Sequence, residues 1–407
     1  MVFSFAPSDV KNQILDMTFF RPYLIIIRSL LFILFDTIAI WVAKDPKHNE
    51  LKVVLLIRQD AIGDFILWLD TAKEYKKQFP PENHKIVLIG NSLWCDLAKE
   101  LPFWDEVIPI NVKVFKTLSR YRWNIIREIK SFGAEIAIQP TYSREFYHGD
   151  SLVRASNASK KVSSAGNMSN RNRLKTILAD RWHTELIPSS PEPLSEIERN
   201  AEFFSGLIKK LYLPSYPELE VSGDFNIREL KRKSFYVLSI GANKKYREWP
   251  YKYYAKIAQN IHKKTGWLGL ICGTENEFDL GEHIKQLCDA PLQNYSGQTT
   301  LPELAYLLLK SQILISNETG TAHIANAVGT PTVCVLGGGH FGRFAPYPEL
   351  SGGTNSLKVV YHKMPCYGCN WECIYHIKEE EPAPCISNIS VDAVWKEIEK
   401  IIEAKVN

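Results

Sequence analysis

Two consecutive doubly wound α/β units, preceded by an apolar helix, are the fold class that this sequence predicts. Three observations carry that reading. A chain of 407 residues is too long for one ordinary domain and fits two. From Lys52 onward, short β-branched runs alternate with amphipathic stretches, the pattern of strand, crossover helix and parallel strand. The alternation then breaks over a Pro-, Ser- and charge-rich stretch and starts again near Ser234.

The N-terminal segment comes first. Between Pro22 and Ala43 the chain reads PYLIIIRSLLFILFDTIAIWVA, close to the roughly 20 apolar residues that span a bilayer. Arg28 and Asp36 interrupt it. At 100° per residue they lie about 80° apart, so they share one polar edge with Ser29 and Thr37. That pattern suits a helix lying in a membrane interface, with a true span and a helix packed on protein as the alternatives. A cleaved signal peptide fits poorly, because the apolar run starts late, is charged and has no small-residue cleavage site after it. Residues 1–48 are therefore set apart as a membrane-proximal segment.

Residues 49–212 read as the first unit. KVVLLIR (52–58), KIVLIG (85–90), EVIPI (106–110) and EIAIQP (135–140) are the expected strands, with helices over 64–79, 92–100 and 114–131. The stretch 141–190 is rich in Ser, Asn, Arg and Lys with little apolar periodicity, and reads as a long solvated loop region or a polar surface at a cleft mouth. Residues 213–234 read as the linker. Residues 235–407 form the second unit, with strands at SFYVLSIG (234–241), WLGLICG (267–273), QILIS (312–316) and TPTVCVLGG (330–338). Helices are expected over 250–264, 276–288, 301–310 and 320–328. A ligand cleft then falls between the units, at the carboxyl ends of their strands.

Composition narrows the chemistry. With 49 basic and 45 acidic residues the formal charge is only +4, which gives no nucleic-acid signature. Eight cysteines are too few for a disulfide scaffold in a chain of this length. Four are scattered, at Cys95, Cys272, Cys288 and Cys334; the other four, Cys366, Cys369, Cys373 and Cys385, form a C-x2-C-x3-C-x11-C cluster. Such a cluster suits a structural Zn or Fe ion, with packed reduced thiols or disulfides as alternatives.

Four segments carry candidate site residues. RQDAIGDFI (58–66) leaves a strand through a turn with Asp60 and Gly63 and opens a helix with Asp64, either as a simple cap or as a cleft-facing carboxylate beside free N–H groups. SNETGTAHIANAVGTP (316–331) repeats that plan with Glu318, Thr319, Gly320, Thr321 and His323, a helix start suited to a diphosphate or to ordinary capping. SIGANKKYREWP (239–250) places Lys244, Lys245 and Arg247 beyond a strand, able to balance a leaving anion. ICGTENEF (271–278) offers Glu275 and Glu277 to ribose hydroxyls.

In this order the segments resemble glycosyltransferase family 9, the bacterial heptosyltransferases of lipopolysaccharide assembly. The anchors are RQDAIGD, GANKKYREWP and the long block from Tyr295 to Gly338. The resemblance implies a GT-B architecture, two Rossmann-like domains facing a central cleft with the acceptor on the first and the nucleotide sugar on the second. It implies Asp64 as general base, with Arg58, Gly63 and Arg144 on the acceptor side. Lys244, Arg247, Glu275, Glu318, Thr319, Gly320, Thr321 and His323 fall to the donor. Catalysis would be inverting, with no cofactor or metal required and ADP-heptose the leading donor. The partners would be a lipid-linked or lipopolysaccharide acceptor and, through residues 22–43, the cytoplasmic face of the inner membrane. Arg144, Arg154, Lys160 and Lys161 would meet an anionic acceptor. Glu318 and Arg247 depart from the family's usual Asp and Lys. Some relatives carry an iron-binding cysteine finger similar in kind to residues 366–385. An inactive nucleotide-sugar-binding assembly protein and a nucleotide-sugar epimerase are the alternatives.

Overall fold

The computed structural model describes residues 8–44, 49–221, 234–378 and 380–406. Much of the expected linker, residues 222–233, lies outside them.

Two six-stranded sheets, parallel throughout, organise the chain. The first contains β1 (Lys52–Ile57), β2 (His84–Asn91), β3 (Glu106–Ile110), β4 (Ile136–Gln139), β5 (Lys160–Ser164) and β6 (Glu185–Ile187) in the order β3-β2-β1-β4-β5-β6. The second contains β7 (Phe235–Ser239), β8 (Leu268–Cys272), β9 (Leu292–Asn294), β10 (Leu314–Asn317), β11 (Thr332–Val335) and β12 (Leu357–Val360) in the order β12-β11-β10-β7-β8-β9. Counted within each sheet, the two orders are the same. The central strands are continuous apolar runs because both faces are covered by helices. Val54 of β1 sits between Ile86 and Ile136, and Val237 of β7 between Leu270 and Leu314. In each sheet the winding reverses between the first and fourth strands, which opens a crevice at their carboxyl ends.

The segment 141–190 is not a long loop. It supplies a π-helical turn (Phe146–Asp150), the helices Ser151–Ala155 and Arg173–Asp180, and strands β5 and β6. Part of its polarity is internal: buried Ser163 bonds His183 at 3.0 Å, and Arg144, Asp150 and Arg171 form a buried ion cluster. Sequence polarity here reflects a hydrogen-bonded interior as well as a solvated face.

The apolar N-terminal segment lies within one helix, Ser8–Trp41. Its polar edge faces the protein. Asp36, 2% exposed, accepts hydrogen bonds from Nε and Nη2 of the fully buried Arg122 at 2.7 and 2.5 Å. Ser29 meets the Tyr147 hydroxyl at 3.2 Å, Arg154 donates to the Ile33 carbonyl at 3.2 Å, and Arg28 lies over the Tyr147 ring. The opposite side, with Leu24, Ile27, Leu30, Leu31, Leu34 and Trp41, is exposed. The stretch Tyr23–Trp41 is long and apolar enough to cross a membrane, with a mean hydropathy of 2.2.

Candidate active site

The two units meet through two helix N-termini. Helix Ile62–Ala72 leaves β1, helix Gly320–Ala327 leaves β10, and neither has a side-chain cap. They abut so closely that a Cβ on Gly320 would lie 2.8 Å from Cβ of Ile62, and one on Gly63 would lie 3.0 Å from Cδ2 of His323. Glycine at both positions lets two positive dipole ends share one locus, a favourable place for an anion. Asp60 and Asp64 are therefore not ordinary caps.

A cavity of about 290 Å3 opens beside this junction. Asp60 comes to it from the turn after β1 and Asp64 from the first turn of helix Ile62–Ala72, Gln139 and Thr141 from β4 and the loop beyond it, Glu196 from the helix Glu196–Ile208, and Arg343 from the second unit. Asp60 is engaged, with Nε of Arg58 at 3.0 Å and the Thr141 hydroxyl at 3.2 Å. Asp64 has no hydrogen-bond or ion-pair partner among the described residues. Burial, then the charges of Asp60 and Glu196, push its pKa up to about 8, with Arg58 and Arg343 pulling the other way. Its lone pairs are free for an incoming proton, and its basicity suits neutral to mildly alkaline conditions.

Arg58 and Arg144, expected on the acceptor side, are fully buried. Arg58 bridges Asp60, Glu196 at 3.1 Å and Asn200 at 2.8 Å, and so holds the carboxylate turn in place. Arg144 is bound to Asp150, Asp180 and His183. Neither offers a free charge to the cavity. Arg154 packs on Trp182 and the N-terminal helix, while Lys160 pairs with Glu185 at 3.7 Å. Arg343, Glu196 and His148 line the cavity without having been singled out from sequence; Glu196 looks there like any acid opening a helix.

On the second unit, Nη2 of Arg247 lies 2.6 Å from Oε2 of Glu318 and 3.2 Å from its carbonyl oxygen. Burial opposes the Glu318 carboxylate, yet His323 and Arg247 hold its pKa below the usual range. His323 is buried, with Nδ1 2.6 Å from the Tyr347 hydroxyl and Nε2 3.9 Å from Glu318. The Thr319 hydroxyl is buried without a partner at the first turn of the helix. Asn317 ties β10 to this region by accepting from the Trp249 N–H at 2.9 Å and donating to Ile240 and Gly241. Thr321 is half-buried in the same turn, Lys244 is exposed on the loop after β7, and Glu275 is exposed beyond β8.

The sequence profile of glycosyltransferase family 9 (heptosyltransferase) matches residues 152–369, more than half of the chain. The chain belongs to glycosyltransferase family 9. A lipopolysaccharide core heptosyltransferase, OpsX of Haemophilus influenzae, is 29% identical over 124 residues, 30% of this chain and 35% of that protein. The chain thus aligns with about a third of that relative's length. Among solved structures, a family 9 glycosyltransferase from Veillonella parvula superposes with a TM-score of 0.67 at 16% identity, covering 89% of this chain and 99% of the other. The E. coli ADP-heptose lipopolysaccharide heptosyltransferase II gives 0.62 at 14%, covering 88% and 100%. The dodecameric, iron-containing heptosyltransferase TibC, solved with ADP-D-β-D-heptose, gives 0.54 at 14%, covering 89% and 78%. At these identities the superpositions establish the fold: the two sheets have the GT-B arrangement expected of family 9.

For the four cysteines of the C-terminal cluster the sequence leaves a metal ion, packed reduced thiols and disulfides open. Among the described residues no three His, Cys, Asp or Glu side chains are gathered to hold a metal ion. All four thiols are free; Cys385 is buried and accepts from the Gly338 N–H at 3.4 Å, while Cys366, Cys369 and Cys373 are half-buried. Other contacts fasten this family 9 chain's cysteine segment. Backbone N–H groups of Gly368 and Asn370 donate to Gly338 and Gly339 at 2.8 and 2.9 Å, and the Arg247 guanidinium lies over the Trp371 ring, 4.9 Å from its centroid. The segment thus braces Arg247.

Proposed function

We propose that this protein is an inverting glycosyltransferase moving a sugar, with heptose from ADP-heptose the leading candidate, onto a hydroxyl of a lipopolysaccharide or other cell-surface glycan. The carrying observation is the juxtaposition at the junction: an unpartnered carboxylate, Asp64, one residue from Gly63, which abuts the uncapped helix start at Gly320. A proton acceptor and an anion site share one locus. The acceptor oxygen attacks the anomeric carbon as Asp64 takes its proton, and the bond from that carbon to the diphosphate oxygen breaks with its electrons leaving on the diphosphate. N–H groups of the Thr319–Thr321 turn, Arg247 and Lys244 balance that charge, so this reading calls on no metal. Glu275 meets the nucleoside. Residues 49–212 form the acceptor side and 235–407 the donor side, joined through 213–234. The resemblance to lipopolysaccharide heptosyltransferases supports the donor and acceptor class.

The exposed apolar side of the N-terminal helix supports attachment to the cytoplasmic face of the inner membrane. A panel of nucleotide sugars incubated with lipopolysaccharide-type acceptors tests the reaction: transfer, with inversion, is expected from ADP-heptose. Binding of a nucleotide sugar without turnover would favour an assembly role, and conversion of the free nucleotide sugar an epimerase. Flotation with liposomes tests the attachment, and deletion of residues 1–48 should abolish it.

A further inference from the structure

The cavity contains a histidine that the reaction described above leaves unused. His148 sits in the π-helical turn Phe146–Asp150, a backbone form that is rare and recurs at functional sites. Gly149 seats the turn against β4, since a Cβ there would fall 2.1 Å from Nε2 of Gln139. The imidazole lines the cavity yet is only 7% exposed, and both ring nitrogens are buried without a hydrogen bond. Its nearest ion-pair contact, Oε2 of Glu145, is 3.6 Å from Nε2, beyond hydrogen-bonding range. Burial, helped by Lys116, lowers its pKa to about 3, so the ring is neutral. A neutral imidazole has one donor and one acceptor, which suits neighbouring hydroxyls.

The charges around it point the same way. Four carboxylates line the cavity, from Asp60, Asp64, Glu145 and Glu196. It has two cations against these four acids, each near one of them: Lys116 lies 3.9 Å from Glu145, and Arg343 lies 3.6 Å from Glu196 and donates to the Ser143 hydroxyl at 3.3 Å. A phosphate or carboxylate placed here would meet a lining in which acids outnumber cations, which selects against it.

We infer that the part of the acceptor entering this cavity is an uncharged, hydroxyl-rich sugar, and that His148 binds its hydroxyls. This rests on the proposed transferase reading and names the substrate class for that site. It differs from the anionic acceptor expected to meet residues 141–190, because Arg144 is buried among Asp150, Asp180 and His183 and Arg154 is engaged by the N-terminal helix.

The test uses full-length protein loaded with ADP and saturation-transfer NMR with methyl α-mannopyranoside and methyl α-glucopyranoside, against the 6-phosphates of the same sugars. The neutral glycosides should bind at least about tenfold more tightly than the phosphates. His148→Leu should weaken their binding about tenfold with ADP affinity unchanged, and His148→Gln, which keeps one donor and one acceptor, should stay within about threefold of wild type. Equal or tighter binding of the phosphates, no binding of any neutral glycoside, or an unaltered His148→Leu would each overturn the inference. The comparison within wild-type protein stands even if a variant fails to fold. Failure of wild-type protein to bind ADP would overturn the transferase reading itself, a result distinct from the others.

Discussion

Arg247 and Glu318 are partners: the guanidinium donates to the carboxylate at 2.6 Å and to the same residue's carbonyl at 3.2 Å. At these two positions the resemblance to the family leads one to expect Lys and Asp. The two side chains form one unit. The longer acid and the wider, forked cation compensate for each other across the switch point of the second sheet, so the local charge stays balanced while the guanidinium keeps donors free.

That pairing predicts non-additivity. Arg247→Lys and Glu318→Asp should each raise the KM for ADP-heptose about tenfold, roughly 1.4 kcal/mol. The double variant should recover at least about 0.5 kcal/mol of the summed loss, as directly contacting residues do. Steady-state kinetics of the four proteins checks this; strict additivity would show the two side chains acting independently.

Asp64 predicts a pH profile. A base must be deprotonated, and with its pKa pushed up to about 8, kcat/KM should rise with pH and level off above that value. Asp64→Asn should cost about 10^2 to 10^4 in kcat with ADP affinity within about threefold. Stability should run the opposite way. The folded carboxyl holds its proton more tightly than the unfolded one, so this group's stabilising contribution is full below about pH 4 and is lost as pH rises through about 8. Asp64→Asn should therefore unfold at a higher temperature than wild type at pH 9 and show little advantage at pH 4, as calorimetry would reveal.

Trp371 predicts a donor-side effect from outside the donor motifs. Removing the ring beneath Arg247 with Trp371→Leu should raise the donor KM by about two- to fivefold, the range of a partly exposed cation–π contact, roughly 0.5–1 kcal/mol. Trp371→Phe should fall between Leu and wild type. Titration with ADP measures both, and an unchanged affinity would separate the cysteine segment from donor binding.

Asp36 and Arg122 predict a stability asymmetry. Asp36→Ala strands a buried guanidinium and should cost about 3–5 kcal/mol in chemical denaturation of the first unit. Asp36→Leu combined with Arg122→Met should cost less than Asp36→Ala alone, because replacing both charges removes the penalty of an unpaired one.

How far the sequence could be read depended on what each residue was surrounded by. The central strands were legible because apolar runs such as KVVLLI have one destination, a sheet covered on both faces. β5 was not: KKVSS hides its serines in hydrogen bonds to side chains far along the chain, Gln139, His183 and Ser189. The edge strands β9 and β12, of three and four residues, are too short for a periodicity to emerge. Asp64 and the Glu318–His323 turn were legible because each lies at the start of the helix that follows a strand. Glu196, Arg343 and His148 were not, since each reaches the cavity through tertiary packing that no local spacing encodes. Arg58 shows the converse: its place in the motif suggested a free charge, and three buried partners claim it.

The inward-facing polar edge of the N-terminal helix has a mechanical consequence. A helix joined to a catalytic body by a flexible tether lets that body wander above whatever the helix enters. Here Ser29 is bonded to Tyr147 of the π-helical turn that brings His148 to the cavity, Asp36 holds Arg122, which itself donates to the Tyr147 carbonyl, and Thr37 is held by Arg154. Helix and cavity therefore move as one piece, and the opening is held at a set height and tilt relative to the apolar side, as a fixed gauge holds a cutting edge.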